Sequence, residues 1–495
     1  GGNELLRAAD AYALGYTGKG INVGICDMVI NYATPELVAK TGSYAIDHFD
    51  TSSFDWRNFT HGTHVGGIIG ASKDDNGMHG IAFDSNLLSE SGASVYNKDG
   101  SFMQRNDLYG LYYTHPEVKL INNSWGNYSV DVYSTGLFTE DIQDIFTNPD
   151  AVGPRIGQID FPYFASVSDH DKLLVFAAGN EGHSAPDIEC FLPNVYPKAA
   201  FNLINVTAAD NKSLTVSADG SISGDRPVAI FSNLAKYAED YTVSAPGMII
   251  SSAAADYATR GSIDMNMSGT SMAAPYVTGV GVLVQQAYPY LNAKQIGDVI
   301  LSTANNNITL PEYQIQYQQG KGYIKVSVFF SGAPTEKTNS ELQILAKNYF
   351  KDYYNYTTED GSFTRRFWNA FVDQSNIQTF YYADLQELWG QGLVDAAKAV
   401  KGPGALNARR LTASDINTDY TVQGTKTSQA LYAIDTQGYN SIWSNDIKEI
   451  KAGLIAADST ETDLANRYRY YYTNWLTKDD PFDDTKMFTE SYINN

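Results

Sequence analysis

The sequence predicts an α/β fold, a mostly parallel central sheet flanked by helices, and three observations carry that expectation. Short runs that are apolar throughout recur along the chain, each the length of a strand. Stretches with helical patterning lie between them. Polar residues suited to chemistry, Asp27, Ser124 and Asn180, fall just where such runs end, as expected for a site at the carboxyl edge of a parallel sheet. A run apolar on both faces suits a sheet covered by helices on both sides, because a sheet with one wet face would alternate apolar and polar residues.

In chain order, residues 21–26, 118–121, 173–177, 203–208 and 241–243 are the expected strands. Helices are expected from His61 through Ala71, from Ser271 through Leu291, and from Ala293 to about Thr303. Asn292 is a good cap for the last, since its side-chain oxygen can accept from a first-turn N–H. Between Asn305 and Trp389 the pattern lapses into a Tyr-rich stretch with candidate helices at 341–354 and near 367–372. It reads as an insertion at about 306–388, within a domain spanning 1–404. From 405 to 495, Thr, Ser, Asp and Tyr dominate, with short alternating pieces such as 430–434; this reads as a C-terminal extension, the start of a β-rich stalk. No ladder of alternating ten-residue strands suggests an outer-membrane barrel. The aromatic run 467–472 is expected to pack onto the domain rather than to form an adhesive or nucleic-acid surface.

The stretch Gly269-Thr270-Ser271-Met272-Ala273-Ala274-Pro275 can expose a serine at the start of a buried helix, where backbone N–H groups face a developing oxyanion. A serine hydroxyl needs a base. His61, in His61-Gly62-Thr63-His64-Val65-Gly66-Gly67, can supply it, because an imidazole titrates near neutral pH. Asp27 ends the first apolar run and can hold that imidazole; Asp47, Asp50 and Asp55 are nearer in sequence but lie in a loop-like stretch. The order Asp, His, Ser is one of the known orders of a catalytic triad. His64 is expected to turn inward as a structural histidine. Zinc is disfavoured, since a metalloprotease helix spaces its histidines four apart with a glutamate beside the first.

These segments, together with Ala177-Ala178-Gly179-Asn180-Glu181-Gly182, occur in an order that resembles the subtilisin-like serine proteases (subtilases), over roughly residues 13 to 305. The segment 389–403 is similar to the closing helix of the catalytic domain in subtilisin-like autotransporter passengers of Gram-negative bacteria. The resemblance implies a subtilisin-like fold and a secreted or cell-surface serine endopeptidase acting on protein or peptide substrates. It further implies that Asn180 joins the Ser271 backbone N–H in an oxyanion hole, and that Ser124, Trp125 and Gly126, with Ala178 and Gly179, bind substrate as an extra strand. One departure stands out: a Ser or Thr and a Gly usually follow the aspartate, whereas Met28 and Val29 stand here, which removes a hydroxyl that could orient the carboxylate. The competing class is an adhesive or binding surface protein carrying a degenerate protease domain. A propeptide and a translocator are implied by the family and expected to have been removed, as Gly1-Gly2-Asn3 leads almost directly into the first strand.

Lys+Arg 34 against Asp+Glu 56 gives a net charge of −22, which repels phosphates and anionic lipid and argues against nucleic acid as a partner. No run approaches the ~20 apolar residues of a transmembrane helix. Cys26 and Cys190 are the only cysteines, read as two buried small apolar residues rather than a disulfide framework. No cofactor is expected to be required. The acidic loop 73–78 stands where many subtilases hold structural calcium, but its oxygen ligands show no regular spacing, so a solvated loop is expected. The stretch between Gly182 and Pro197 carries no recognisable pocket signature.

Overall fold

The computed structural model describes residues 2–46, 57–91, 95–96, 102–103, 111, 114–126, 170–191, 202–289, 291–308, 311–320, 323–331, 337–338, 340–342, 344–346, 348–349, 377–382 and 385–401. Its centre is a seven-stranded sheet built from β1 (Asn22–Asp27), β2 (Tyr44–Ala45), β3 (Asn86–Ser91), β4 (Leu120–Asn123), β5 (Leu173–Ala177), β6 (Leu203–Ala209) and β7 (Thr242–Pro246). Their spatial order is β7-β6-β5-β4-β1-β3-β2, and every neighbouring pair is parallel. The expected strands therefore form, within two residues at each end except β7, which runs three residues past the expected end. β3 escaped the sequence pattern because Ser89, Glu90 and Ser91 are buried polar residues in its second half.

The sheet reverses its direction of growth at β1, which has β3 on one side and β4 on the other, with Cys26 opposite both Glu90 and Asn123. Such a switch point leaves a crevice at the carboxyl ends of the strands. Asp27 ends β1, Ser124 follows β4, and Ala178 to Asn180 follow β5, so the candidate residues gather along this one edge.

Three helices pack on the sheet. α1 (Arg57–Gly70) packs against β1 and β3, and α2 (Thr270–Ala287) crosses β4 to β7 while packing on α1. Residues 272–285 of α2 are buried all round, as in a helix enclosed by a larger core. Each fully buried Val or Leu there contributes roughly 1.5–3 kcal/mol against an exposed position. α3 (Ala293–Thr303) starts in the expected capping box: Asn292 Oδ1 accepts from the Gln295 N–H at 2.9 Å, and Gln295 Oε1 accepts from the Asn292 N–H at 3.0 Å. Cys26 and Cys190 are buried and not joined in a disulfide.

The expected closing helix at 389–400 is not continuous. A helical turn ends at Trp389, Gly390 and Gly392 take positive φ values of 72° and 121°, and Leu393 bridges to both Ser244 and Asn305 before the short α4 (Ala396–Ala399). Left-handed glycines break the helix, and the apolar residues instead form an extended strip against β7.

Within the insertion, β8 (Tyr313–Gly320) and β9 (Tyr323–Ser331) are antiparallel, and β10 (Ile377–Tyr382) runs parallel to β9. Gln314 and Gln316 sit buried beside Ile315 and donate to the Val228 and Ala229 carbonyls, both at 3.0 Å. Buried amides hid this strand from a hydropathy reading. The described residues of 340–349 are helical, matching the start of the first candidate helix. The candidate helix near 367–372, Asp47, Asp50 and Asp55, and the extension from 405 with its pieces at 430–434 and 467–472 lie outside the described residues.

Candidate active site

Asp27 and His61 meet at the end of β1: His61 Nδ1 lies 2.7 Å from Asp27 Oδ1, the carboxylate side chain only 2% exposed and the imidazole 25%. Gly62 makes the approach feasible, since a Cβ there would overlap the Met28 carbonyl. Burial pushes the imidazole toward its neutral form, but the Asp27 charge and hydrogen bond outweigh it, and His61 ionises above its usual 6.5. Met28 supplies part of what the missing hydroxyl would have: its backbone N–H donates to Asp27 Oδ1 at 2.6 Å. Asp27 Oδ2 is buried with no hydrogen-bond partner among the described residues.

Ser271 occupies the first turn of α2, where backbone N–H groups have no partner within the helix. Pro275, four residues on, has no N–H to give to the Ser271 carbonyl. Ser124 fills that gap: its Oγ donates to Ser271 O at 2.8 Å, while Ser271 Oγ donates to Ser124 O at 3.0 Å. Asn122 Nδ2 in turn donates to Ser124 Oγ at 2.8 Å, and Thr278 Oγ1 to Asn122 Oδ1 at 3.0 Å, so α2 and β4 are tied through one polar chain. Because β4 neighbours β1, this exchange sets Ser271 one strand away from the Asp27–His61 pair.

Asn180 is exposed, and its amide is turned by Thr270, whose N–H and Oγ1 donate to Asn180 Oδ1 at 2.8 and 3.1 Å. With the oxygen so engaged, the NH₂ group is left to donate outward. A Cβ placed on Gly269 would stand 3.6 Å from both Asn180 Nδ2 and Ser271 N. The Asn180 amide and the Ser271 N–H thus both lie beside Gly269, at the start of α2.

The remaining candidates line the approach. Trp125 is half-buried and edge-on to Phe176 at 5.3 Å, so it is partly core; Gly126 is exposed. Ala178 and Gly179 are buried. Sequence reading missed Asn233, a buried residue whose Oδ1 accepts from Glu181 N and His183 N, and whose Nδ2 reaches Ala178 O, Glu181 Oε2 and Asp187 Oδ1. It also missed Thr270 and Ser124 Oγ as positioning groups. A lone Asn carries no local signal, whereas Pro275 four residues after a serine is one that could have been read.

His64 is fully buried, its Nε2–H shared between the Ile250 and Met265 carbonyls at 3.0 Å each, and burial pushes it down to about 4. This is the inward, structural histidine expected. Beside the 73–78 loop, Glu36 is buried against Gly77. Neither of its oxygens meets a partner at hydrogen-bonding geometry, though the Met78 backbone and the Asp264 carboxyl stand close enough to bear on its titration. Burial, then the charges of Asp264 and Asp74, push Glu36 up to about 8. Among the described residues no group of three or more His, Cys, Asp or Glu is arranged to hold a metal, and no helix is long and apolar enough to cross a membrane.

Asp27 and His61 thus meet at the switch point of a parallel sheet, one strand from a serine at a helix start. Residues 18–357 match the subtilase family (Peptidase S8), and the chain belongs to that family of subtilisin-like serine proteases. The "Extracellular serine protease" of Serratia marcescens is 31% identical over 353 residues, covering 62% of this chain and 31% of its own length. "Serotype-specific antigen 1" of Mannheimia haemolytica is 25% identical over 354 residues, 70% of this chain and 32% of its own. "Subtilisin DY" of Bacillus licheniformis is 27% identical over 327 residues, 66% of this chain and 96% of its own. The chain thus spans about a third of the length of the Serratia and Mannheimia relatives.

Proposed function

We propose that this chain is a secreted serine endopeptidase that hydrolyses peptide bonds through an acyl-enzyme. The observation that carries the reading is the 2.7 Å Asp27–His61 pair, set one sheet strand from a serine at a helix start whose backbone N–H and the Asn180 amide both lie beside Gly269. On this reading Ser271 Oγ attacks the substrate carbonyl while His61 takes its proton, and Asp27 stabilises the imidazolium and fixes its tautomer. The carbonyl oxygen, now negative, accepts from Asn180 Nδ2 and Ser271 N. His61 then returns the proton to the leaving amine, and water activated by the same imidazole releases the acyl group. Substrate enters as an extended strand along 124–126 and 178–180, held mainly by backbone hydrogen bonds. All of these groups come from the chain itself, and the chemistry assigned to them calls on no cofactor. The extracellular Serratia relative and the Mannheimia antigen support a secreted or surface location, and on this reading the chain is the released or truncated passenger of an autotransporter.

Hydrolysis of an internally quenched peptide library by the purified chain tests the proposal. Internal cleavage that disappears in Ser271→Ala is expected; cleavage that survives in Ser271→Ala, or its absence from the parent chain, would overturn it.

A further inference from the structure

The loop after Asn180 carries no recognisable motif, yet it delivers one carboxylate to a telling place. The Asp187 N–H donates to Ala178 O at 2.8 Å, which folds the loop back beneath the residues that follow β5. The residue is only 6% exposed. Its Oδ1 accepts from Asn233 Nδ2 at 3.1 Å, and its Oδ2 receives no hydrogen bond among the described residues. Asp187 Oδ2 lies so close to exposed Gly126 that a Cβ there would overlap it, and a Cβ on Gly179 would overlap Oδ1.

Gly126 and Gly179 belong to the two backbone segments that flank the acyl side of the substrate in the reading above. The carboxylate therefore sits between the two walls, one oxygen unengaged, under residues that only glycine lets approach. Burial, then the charges of Glu181 and Glu189, disfavour its ionised form, so the carboxyl gives up its proton well above the usual carboxylate range. Among the described residues, the groups that act on Asp187 are these two carboxylates, which disfavour its charge, and the Asn233 amide, which favours it. A neutral substrate side chain seated here would seal a carboxyl with an unfilled acceptor, which is costly. A guanidinium or ammonium would fill that acceptor and neutralise the charge.

We propose that Asp187 determines specificity at this subsite, and that the protease cleaves after arginine or lysine. The proposal rests on the assignment of 124–126 and 178–180 as substrate-binding segments, and its test separates the two. The full chain is given matched peptides that differ only in the residue before the scissile bond: arginine, lysine, citrulline, leucine or phenylalanine. Citrulline keeps the shape of arginine without its charge, so the comparison needs no altered protein. The expected kcat/KM for arginine exceeds that for citrulline on the order of 10²-fold, and Asp187→Asn brings the ratio toward one. If Asp187→Asn fails to fold, the arginine–citrulline ratio of the unaltered chain still decides. Arginine and citrulline cleaved at similar rates, or leucine and phenylalanine preferred, overturns the proposal and leaves the protease reading standing. No cleavage of any peptide, with no reaction of Ser271 with a phosphonate, overturns both.

Discussion

Ser124 and Ser271 exchange hydrogen bonds, each hydroxyl donating to the other's backbone carbonyl, at 2.8 and 3.0 Å. The exchange exists because Pro275 withholds the N–H that would otherwise close the first full turn of α2 on the Ser271 carbonyl. Ser124→Ala should therefore leave that carbonyl short of a donor and cost roughly 1–3 kcal/mol. Pro275→Ala restores the helical donor, so the double variant should recover part of the loss. Chemical denaturation of the two single variants and the double one reads this directly: additive losses would mean that the two residues do not share the carbonyl.

Asn180→Leu tests the oxyanion assignment. The change keeps approximate volume and deletes the donor, so turnover should fall about 10²–10³-fold while the Michaelis constant changes little, the range known for a related subtilisin. Steady-state kinetics decide, and a turnover within about threefold of the parent would make Asn180 a turn residue only.

The raised ionisation of His61 sets the acid side of the rate profile. A general base must be neutral, so kcat/KM should climb with pH through an apparent pKa above 6.5. Asp27→Asn removes the charge that raises it; the acid limb should move to lower pH and the rate should drop by about 10⁴. An unmoved limb in Asp27→Asn would detach Asp27 from His61.

Stability should decline on both flanks of pH, for two different buried groups. Glu36 rises from 4.5 to about 8 in the fold, so its contribution is complete below 4.5 and is lost as pH climbs toward 8. His64 falls from 6.5 to about 4, so its contribution is complete above 6.5 and is lost as pH drops toward 4. Melting temperatures of the parent and Glu36→Gln between pH 4 and 9 should converge at the acid end and separate at the alkaline end, the glutamine variant losing less. Parallel curves would show that Glu36 ionises normally.

Much of this was legible before any coordinates. The strands of the sheet centre were readable because their residues are apolar on both faces, and α3 because Asn292 and Gln295 form a local cap. Asp27, His61, Ser271 and Asn180 stood out because strand ends and helix starts carry recognisable residue types. What stayed hidden was held by contacts between distant segments: Asn233 bonding five groups of another loop, Asp187 beneath two glycines, buried Gln314 and Gln316 disguising a strand, and the glycines that break the segment at 390–392. None of these has a period or a neighbour in sequence that announces it.

The central claim is that Ser271 is the nucleophile, activated by His61. A fluorophosphonate forms a bond only with a serine whose proton is being removed, so exposure of the purified chain followed by peptide mass mapping tests it most directly. One phosphonate per chain, located on Ser271, lost in Ser271→Ala and strongly slowed in His61→Ala, is the predicted result. Modification at another serine, or undiminished labelling of Ser271 in His61→Ala, would contradict it.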